Sequence, residues 1–233
     1  MSQEPLIAVF VDFENLALGV RDLKSGAQFD IQLVLKRLLE KGRIVYKRAY
    51  CDWSQFRTYV KEFHANGVEM IDIPQSRVSG KNSADIHMVV DAIDLCYAKQ
   101  HIDIFALLSG DSDFSPLVSK LKENNKRVIG CGVKSSTSDL LIAGCDEFIY
   151  YDDLLRSARK SRGRPKTTDR KSEAMERMVE IVESLSGDYD QLWGSMVKQT
   201  IKRVYPGFSE AYYGYGSFSE MLEDCASRGM IRL

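Results

Sequence analysis

Five side chains with oxygen donors stand where apolar runs stop. Asp12 and Asn15 follow Leu6–Val11, Asp111 and Asp113 follow Ile104–Leu108, and Asp85 opens a stretch of helical periodicity. A carboxylate at the end of a buried strand is costly unless something compensates it. In an open α/β sheet, ligands bind in the crevice outside the carboxyl ends of the strands. Carboxylates converging there would hold a hard divalent cation, and Mg²⁺ or Mn²⁺ with oxygen ligands suits chemistry on phosphates. Asp113 keeps a second reading, as the cap of a helix beginning at Phe114. Asp85 keeps one too, as an acid in a first helical turn facing the dipole.

The elements that must position these groups alternate. Strand-like runs are Leu6–Val11, Arg43–Tyr50, Val68–Ile73, Asp103–Leu108, Arg127–Val133 and Phe148–Tyr151. Between them, Asp30 caps a helix carrying Ile31, Val34, Leu35 and Leu38, with Gly42 as its stop. Ser54 opens the next helix, a third runs from about Ser83 to Lys99, and a fourth carries Phe114, Leu117 and Leu121 with Pro116 in its first turn. A short fifth starts near Ser138. Strands alternating with helices of this length predict βαβ units, hence an α/β fold with a mostly parallel sheet flanked by helices. On the third helix, about 100 degrees per residue gathers Ile86, Val89, Val90, Ile93, Cys96 and Tyr97 on one face. Asp85 falls at the edge of that face, and Asp91 and Asp94 fall in solvent.

The formal net charge of -1 hides a basic strip. Between residues 156 and 172 stand Arg156, Arg159, Lys160, Arg162, Arg164, Lys166, Arg170 and Lys171 against Asp169 alone, with no large apolar residue. This reads as a mobile linker between residues 1–155 and 173–233. The last segment holds three helical patterns, around Met175–Leu185, Leu192–Val204 and Ser217–Arg228, then an apolar strand at Met230–Leu233. That order predicts a small helical, winged-helix-like module. Cys51, Cys96, Cys131, Cys145 and Cys225 show no C-x-x-C spacing and read as reduced core thiols. No export signal and no membrane-length apolar run is visible, which predicts a cytoplasmic protein without membrane contact.

Three separated motifs carry a resemblance: AVFVDFENL, GKNSAD before an apolar helix, and LLSGDSDFSPLVSKLKENNKRVIGCGV. Over roughly residues 5–153 they resemble a NYN domain of the PIN-like nuclease fold, in its LabA-like branch. The resemblance implies a metal-dependent nuclease whose acids fall on Asp12, Asp85, Asp111 and Asp113, with the accompanying amide on Asn15 and the basic position on Lys81. Phosphodiester hydrolysis needs an activated water and stabilised charge, which carboxylate-held Mg²⁺ or Mn²⁺ supplies. His64, His87 and His101 lie away from the acids, so histidine acid–base cleavage is not expected. Further substrate anchors are Ser109, beside the acidic turn, and Lys134 with Ser135, which follow a strand and open a helix. That polar loop reads equally as an ordinary turn with Ser138 as a cap. Gly130-x-Gly132 lacks the third glycine of a dinucleotide fingerprint.

The run LWGSMVKQTIKRVYPGFSEAYYGYGSFSEMLEDCASRGMIRL, about residues 192–233, resembles a LOTUS (OST-HTH) domain. It implies RNA or protein-partner binding. Tyr212, Tyr213 and Tyr215 are positioned either to stack on bases or to pack a helix junction. The expectation is a ribonuclease, an endoribonuclease by preference, that captures RNA through its C-terminal module. A regulator that binds RNA without turnover and a DNA-directed nuclease are the alternatives, and a homodimer belongs to the expected partners.

Overall fold

A computed structural model describes residues 4–23, 28–74, 82–162 and 170–232. The chain divides into two compact units, Met1–Leu38 with Gly42–Arg159, and Leu39–Lys41 with Lys160–Leu233. In the first unit the order is β1 (Leu6–Asp12), α1 (Phe13–Arg21), α2 (Ile31–Leu39), β2 (Arg43–Cys51), α3 (Arg57–Ala65), β3 (Glu69–Asp72) and α4 (Ser83–Ala98). Then come β4 (Ile104–Leu108), α5 (Ser115–Glu123), β5 (Arg127–Gly132), α6 (Asp139–Gly144), β6 (Glu147–Tyr150) and α7 (Tyr151–Arg162). No helix among the described residues is long and apolar enough to cross a membrane.

Every strand pair is parallel, in the order β3-β2-β1-β4-β5-β6. The chain lays strands outward from β1 to β3, then returns to the other side of β1 with β4. Strand order therefore reverses between β1 and β4, which makes the crevice beyond their carboxyl ends the switch point where such sheets bind ligands. Both sheet faces are covered, so the central strands are apolar throughout. Ile7, Val9 and Val11 of β1 point into one core with α1, α2, α3 and Tyr151 of α7. Ala8 and Phe10 point into the other, with α4, α5 and α6. This is the expected α/β, PIN-like architecture.

Local departures have physical causes. Helix α1 was not anticipated: it starts directly at the strand end, runs only nine residues and contains Gly19. Asp52 accepts hydrogen bonds from the Ser54 backbone and hydroxyl and from the Gln55 side chain. That closes a turn and delays α3 to Arg57, three residues past the expected start. Helix α4 is rotated from its expected phase. Its buried residues are Met88, Ala92 and Cys96, while Ile86, Val90 and Tyr97 face outward. Asp91 is not in solvent: it accepts hydrogen bonds from Arg48, 2.8 Å, and from the Tyr50 hydroxyl, 2.7 Å.

The basic strip is helical at both ends instead of being a mobile linker throughout. Helix α7 continues to Arg162, with Asp152 and Asp153 in its first turn and Arg156 paired to Asp153. Alanine, arginine and lysine propagate a helix readily. Helix α8 (Arg170–Ser186) begins inside the strip. Arg170 lies over the Tyr212 ring at 4.9 Å and Lys171 over Tyr215 at 4.8 Å. Arg164 and Lys166 lie outside the described residues.

The second unit continues with α9 (Gly194–Val204) and α10 (Phe218–Ser227). Its core joins Met175, Met178, Ile181 and Leu185 to Ile201, Phe208, Tyr213, Tyr215 and Met221. Tyr213 and Tyr215 are thus packing residues, and only Tyr212 of the three is exposed. No strand occurs in this unit among the described residues, so the expected Met230 strand is absent. The Met230 backbone N–H is taken by Cys225 and that of Gly229 by Ala226. Gly229 stands at φ +69°. These bonds form a Schellman cap that ends α10, and no neighbouring strand is there to pair with.

Candidate active site

β1 ends on Asp12, and the same residue caps α1. One carboxylate oxygen accepts from the Asn15 backbone N–H at 3.3 Å, and the other accepts from the Ser109 hydroxyl at 2.7 Å. Ser109 lies just past β4 and accepts in turn from the Asp111 N–H at 3.1 Å. Asp111 then accepts from the Asp113 N–H at 2.9 Å, closing the S-G-D-S-D turn. The Asn15 amide oxygen accepts from the Gly110 N–H at 2.9 Å. The ends of β1 and β4 are therefore tied twice, at the switch point.

A third segment presses on the same turn. A Cβ at Gly110 would lie 2.6 Å from the Ser136 carbonyl oxygen, and one at Gly132 would lie 2.5 Å from the Thr137 hydroxyl. The Ser138 N–H donates to the Gly110 carbonyl at 2.9 Å. The 134–138 loop can approach this closely only because both positions are glycine.

The acids share one electrostatic field. Asp12 is 7% exposed, and burial, aided by the negative charges of Asp85 and Asp111, pushes its carboxyl up to about 7 against the opposing hydrogen bonds from Ser109 and Asn15. Asp85, in the first turn of α4, is raised by burial and then by Asp111, Asp113 and Glu14. None of Asp12, Asp85, Asp111 and Asp113 joins an ion pair among the described residues. Glu14 escaped the sequence reading. Its signal was its place in D-F-E-N, between the strand-end acid and the amide.

The donor set suits a hard cation. It is all oxygen, carboxylate with a fixed amide nearby, and the carboxyls of Asp12 and Asp85 are pushed toward protonation where no cation compensates them. Among the described residues, no three acid, His or Cys side chains already converge as a finished coordination shell. Mg²⁺ is usually held by one or two carboxylates with water completing its shell, so the residues present fit it.

The remaining expected site residues are placed differently. Ser109 is wholly buried, with its hydroxyl committed to Asp12 and Asp111, so it positions Asp12 instead of facing a ligand. The Lys134 ammonium lies over the Tyr150 ring at 5.7 Å, and the Lys134 backbone N–H donates to Asp152 at 2.8 Å, which holds the residue toward the β6 side. Ser135 is exposed, and Ser138 caps α6. Lys81 lies outside the described residues. His64, His87 and His101 are all exposed.

Residues 6–154 match the NYN domain family. The chain belongs to that family. The NYN domain lies within the PIN-like nuclease superfamily, in agreement with the sheet order and with acids at the switch point. An uncharacterised protein of Methanocaldococcus jannaschii is 28% identical over 138 residues, 59% of this chain and 52% of the relative. The chain thus spans about half the length of that curated relative. A crystal structure of a Vibrio parahaemolyticus protein of unknown function superposes with a TM-score of 0.58 at 27% identity. The match covers 66% of this chain and 97% of that one.

Proposed function

We propose that this NYN protein, of the LabA-like branch, is a divalent-metal-dependent endoribonuclease acting at Asp12, Asn15, Asp85, Asp111 and Asp113. The supporting observation is the double tie of Asp12 to Ser109 and of Asn15 to Gly110. It fixes acids from β1 and the β4 turn at one point, within the field of Asp85. Bound Mg²⁺ or Mn²⁺ supplies an activated water and stabilises charge on the leaving oxygen. The chain's own residues hold the geometry. Ser109 fixes the rotamer of Asp12, and Asn15 locks the Gly110 peptide so that Asp111 and Asp113 project from a rigid turn. Asp113 is the most exposed of the four acids.

The C-terminal unit, as a LOTUS-like module, would capture RNA together with the basic strip. Arg170 over exposed Tyr212 offers a flat, cationic surface of the kind on which bases stack. The protein would work in the cytoplasm. Incubation with labelled mixed RNAs and DNAs, in Mn²⁺ or in chelator, tests the reading. Metal-dependent cuts in RNA support it. Gel shifts without cuts would make the chain a binding regulator, and cuts confined to DNA would make it a DNA nuclease.

A further inference from the structure

The acid cluster opens on one side into a groove of about 740 Å³, between the first turns of α4 and the start of α5, with α6 beyond. Its apolar lining is Ile86, Val89, Val90, Pro116 and Leu140. Ile86 is 62% exposed, Val90 59% and Leu140 64%. The rotation of α4 described above produces this surface: Met88, Ala92 and Cys96 take the core, and the second apolar stripe faces out. Asp85 and Asp113 belong to both the groove and the acid cluster. The other polar lining residues, Asn82, Ser112, Ser115 and Ser119, are neutral, and none of the described lining residues is Lys or Arg. The Ser115 hydroxyl oxygen is buried without a hydrogen-bond partner, a state few buried polar atoms are left in.

We propose that this groove seats one unstacked nucleobase of a single-stranded substrate, beside the phosphate held at the acids. The inference rests on the nuclease reading given above. The occupant enters where the acids hold a phosphate, so it is continuous with that phosphate. It is not a second phosphate, because none of the described lining residues is a Lys or Arg that would pair with one. It has apolar faces for Ile86, Val90 and Leu140, and a polar edge for the Asn82 amide and for the Ser119 hydroxyl, which donates to the Ser115 carbonyl and can still accept. A nucleobase with its sugar meets all three demands, and pockets of about 300–1,000 Å³ take molecules of that size. Enzymes that draw a base from its stack hold it between apolar side chains and hydrogen-bond its edge. A paired base would first have to leave its stack, so the groove selects single strands.

The double variant Val90→Ser with Leu140→Ser removes apolar surface at two exposed positions outside the acid set. Binding is read by anisotropy in Ca²⁺, with an eight-nucleotide RNA and a series carrying one abasic residue at successive positions. Cleavage of the same strands is read in Mn²⁺. For the wild type, one abasic position should weaken binding about tenfold. The double variant should bind the intact strand about tenfold more weakly and be indifferent to that abasic position. Wild-type affinity unchanged at every abasic position would overturn the groove assignment. So would a variant that loses the same factor on intact and abasic strands. Metal-dependent cutting without any abasic effect removes the groove proposal alone, and abasic-sensitive binding without cutting removes the nuclease reading alone. Absence of all RNA binding overturns both. A dimer that the double variant dissolves, at unchanged RNA affinity, would make the groove a contact between copies of this chain and overturn the proposal.

Discussion

Asp12 is asked to be two things at once, a buried side chain and an anion. Its carboxyl is pushed up to about 7, above the 3.8 of the free side chain. Between those values the folded state holds a proton that the unfolded state has released, so stability falls as pH rises through the window and levels off above it. Without metal, the loss from pH 4 to pH 7 should reach on the order of 4 kcal/mol. Asp12→Asn should remove that slope, so urea unfolding in chelator should find the variant the more stable at pH 7 but not at pH 4. Asp111→Asn should lower cleavage by orders of magnitude while raising the metal-free melting temperature. Mn²⁺ should then raise the melting temperature of the wild type more than that of the variant, and equal shifts would detach Asp111 from the metal. At this scale the sequence is legible where side chains break an apolar run, as Asp12 and Asp111 do. It misplaces Ser109, expected as a substrate anchor, because a hydroxyl inside S-G-D-S-D gives no sign whether it faces solvent or a carboxylate.

At the scale of elements, α4 carries Asp85 to the site, and its hold on the sheet lies near its middle. Asp91 receives Arg48 and the hydroxyl of Tyr50, a residue 1% exposed. Asp91→Ala would strand that hydroxyl, at a cost of about 1–3 kcal/mol. A shifted α4 would displace Asp85, so the turnover rate should fall several-fold. Asp91→Asn, which can still accept from Tyr50, should recover most of both. Chemical denaturation and turnover of the pair check this, and an unchanged Asp91→Ala would show that α4 is held by its apolar contacts alone. The sequence misplaces this helix for a definite reason. It carries two apolar stripes, Met88, Ala92 and Cys96 beside Ile86, Val90 and Tyr97, and periodicity cannot say which one the sheet takes. The strands read more cleanly, since parallel strands buried on both faces are unbroken apolar runs. The strand expected at Met230–Leu233 was misread because the run is apolar enough for a strand, whereas the Met230 N–H is committed to ending α10 and no strand is present in that unit among the described residues.

Across the whole chain, the basic strip sets how the protein should respond to salt. Arg170 and Lys171 rest on tyrosine rings, and Arg156 is paired with Asp153. If about five of the strip's eight cations contact single-stranded RNA, changing all eight to Ser should make the slope of log affinity against log salt shallower by about 3.5. The maximal rate on a short RNA that fills only the α/β unit should stay nearly constant, because such contacts strengthen binding without favouring the transition state. An unaltered slope would assign RNA capture to the helical unit alone. The tie between Asp12 and Ser109 also has a consequence for synthesis. It joins residues 97 apart in sequence, and the Asn15–Gly110 bond joins residues 95 apart. Parallel pairings over such distances form late, after the loop-closure entropy has been met. A nascent chain that has emerged only as far as α4 already carries Asp12 and Asp85, but nothing yet orients them toward each other. On the ribonuclease proposal, the ribosome would therefore hold an inert polypeptide until β4 docks against β1, and the messenger being translated would be spared its own product until that moment.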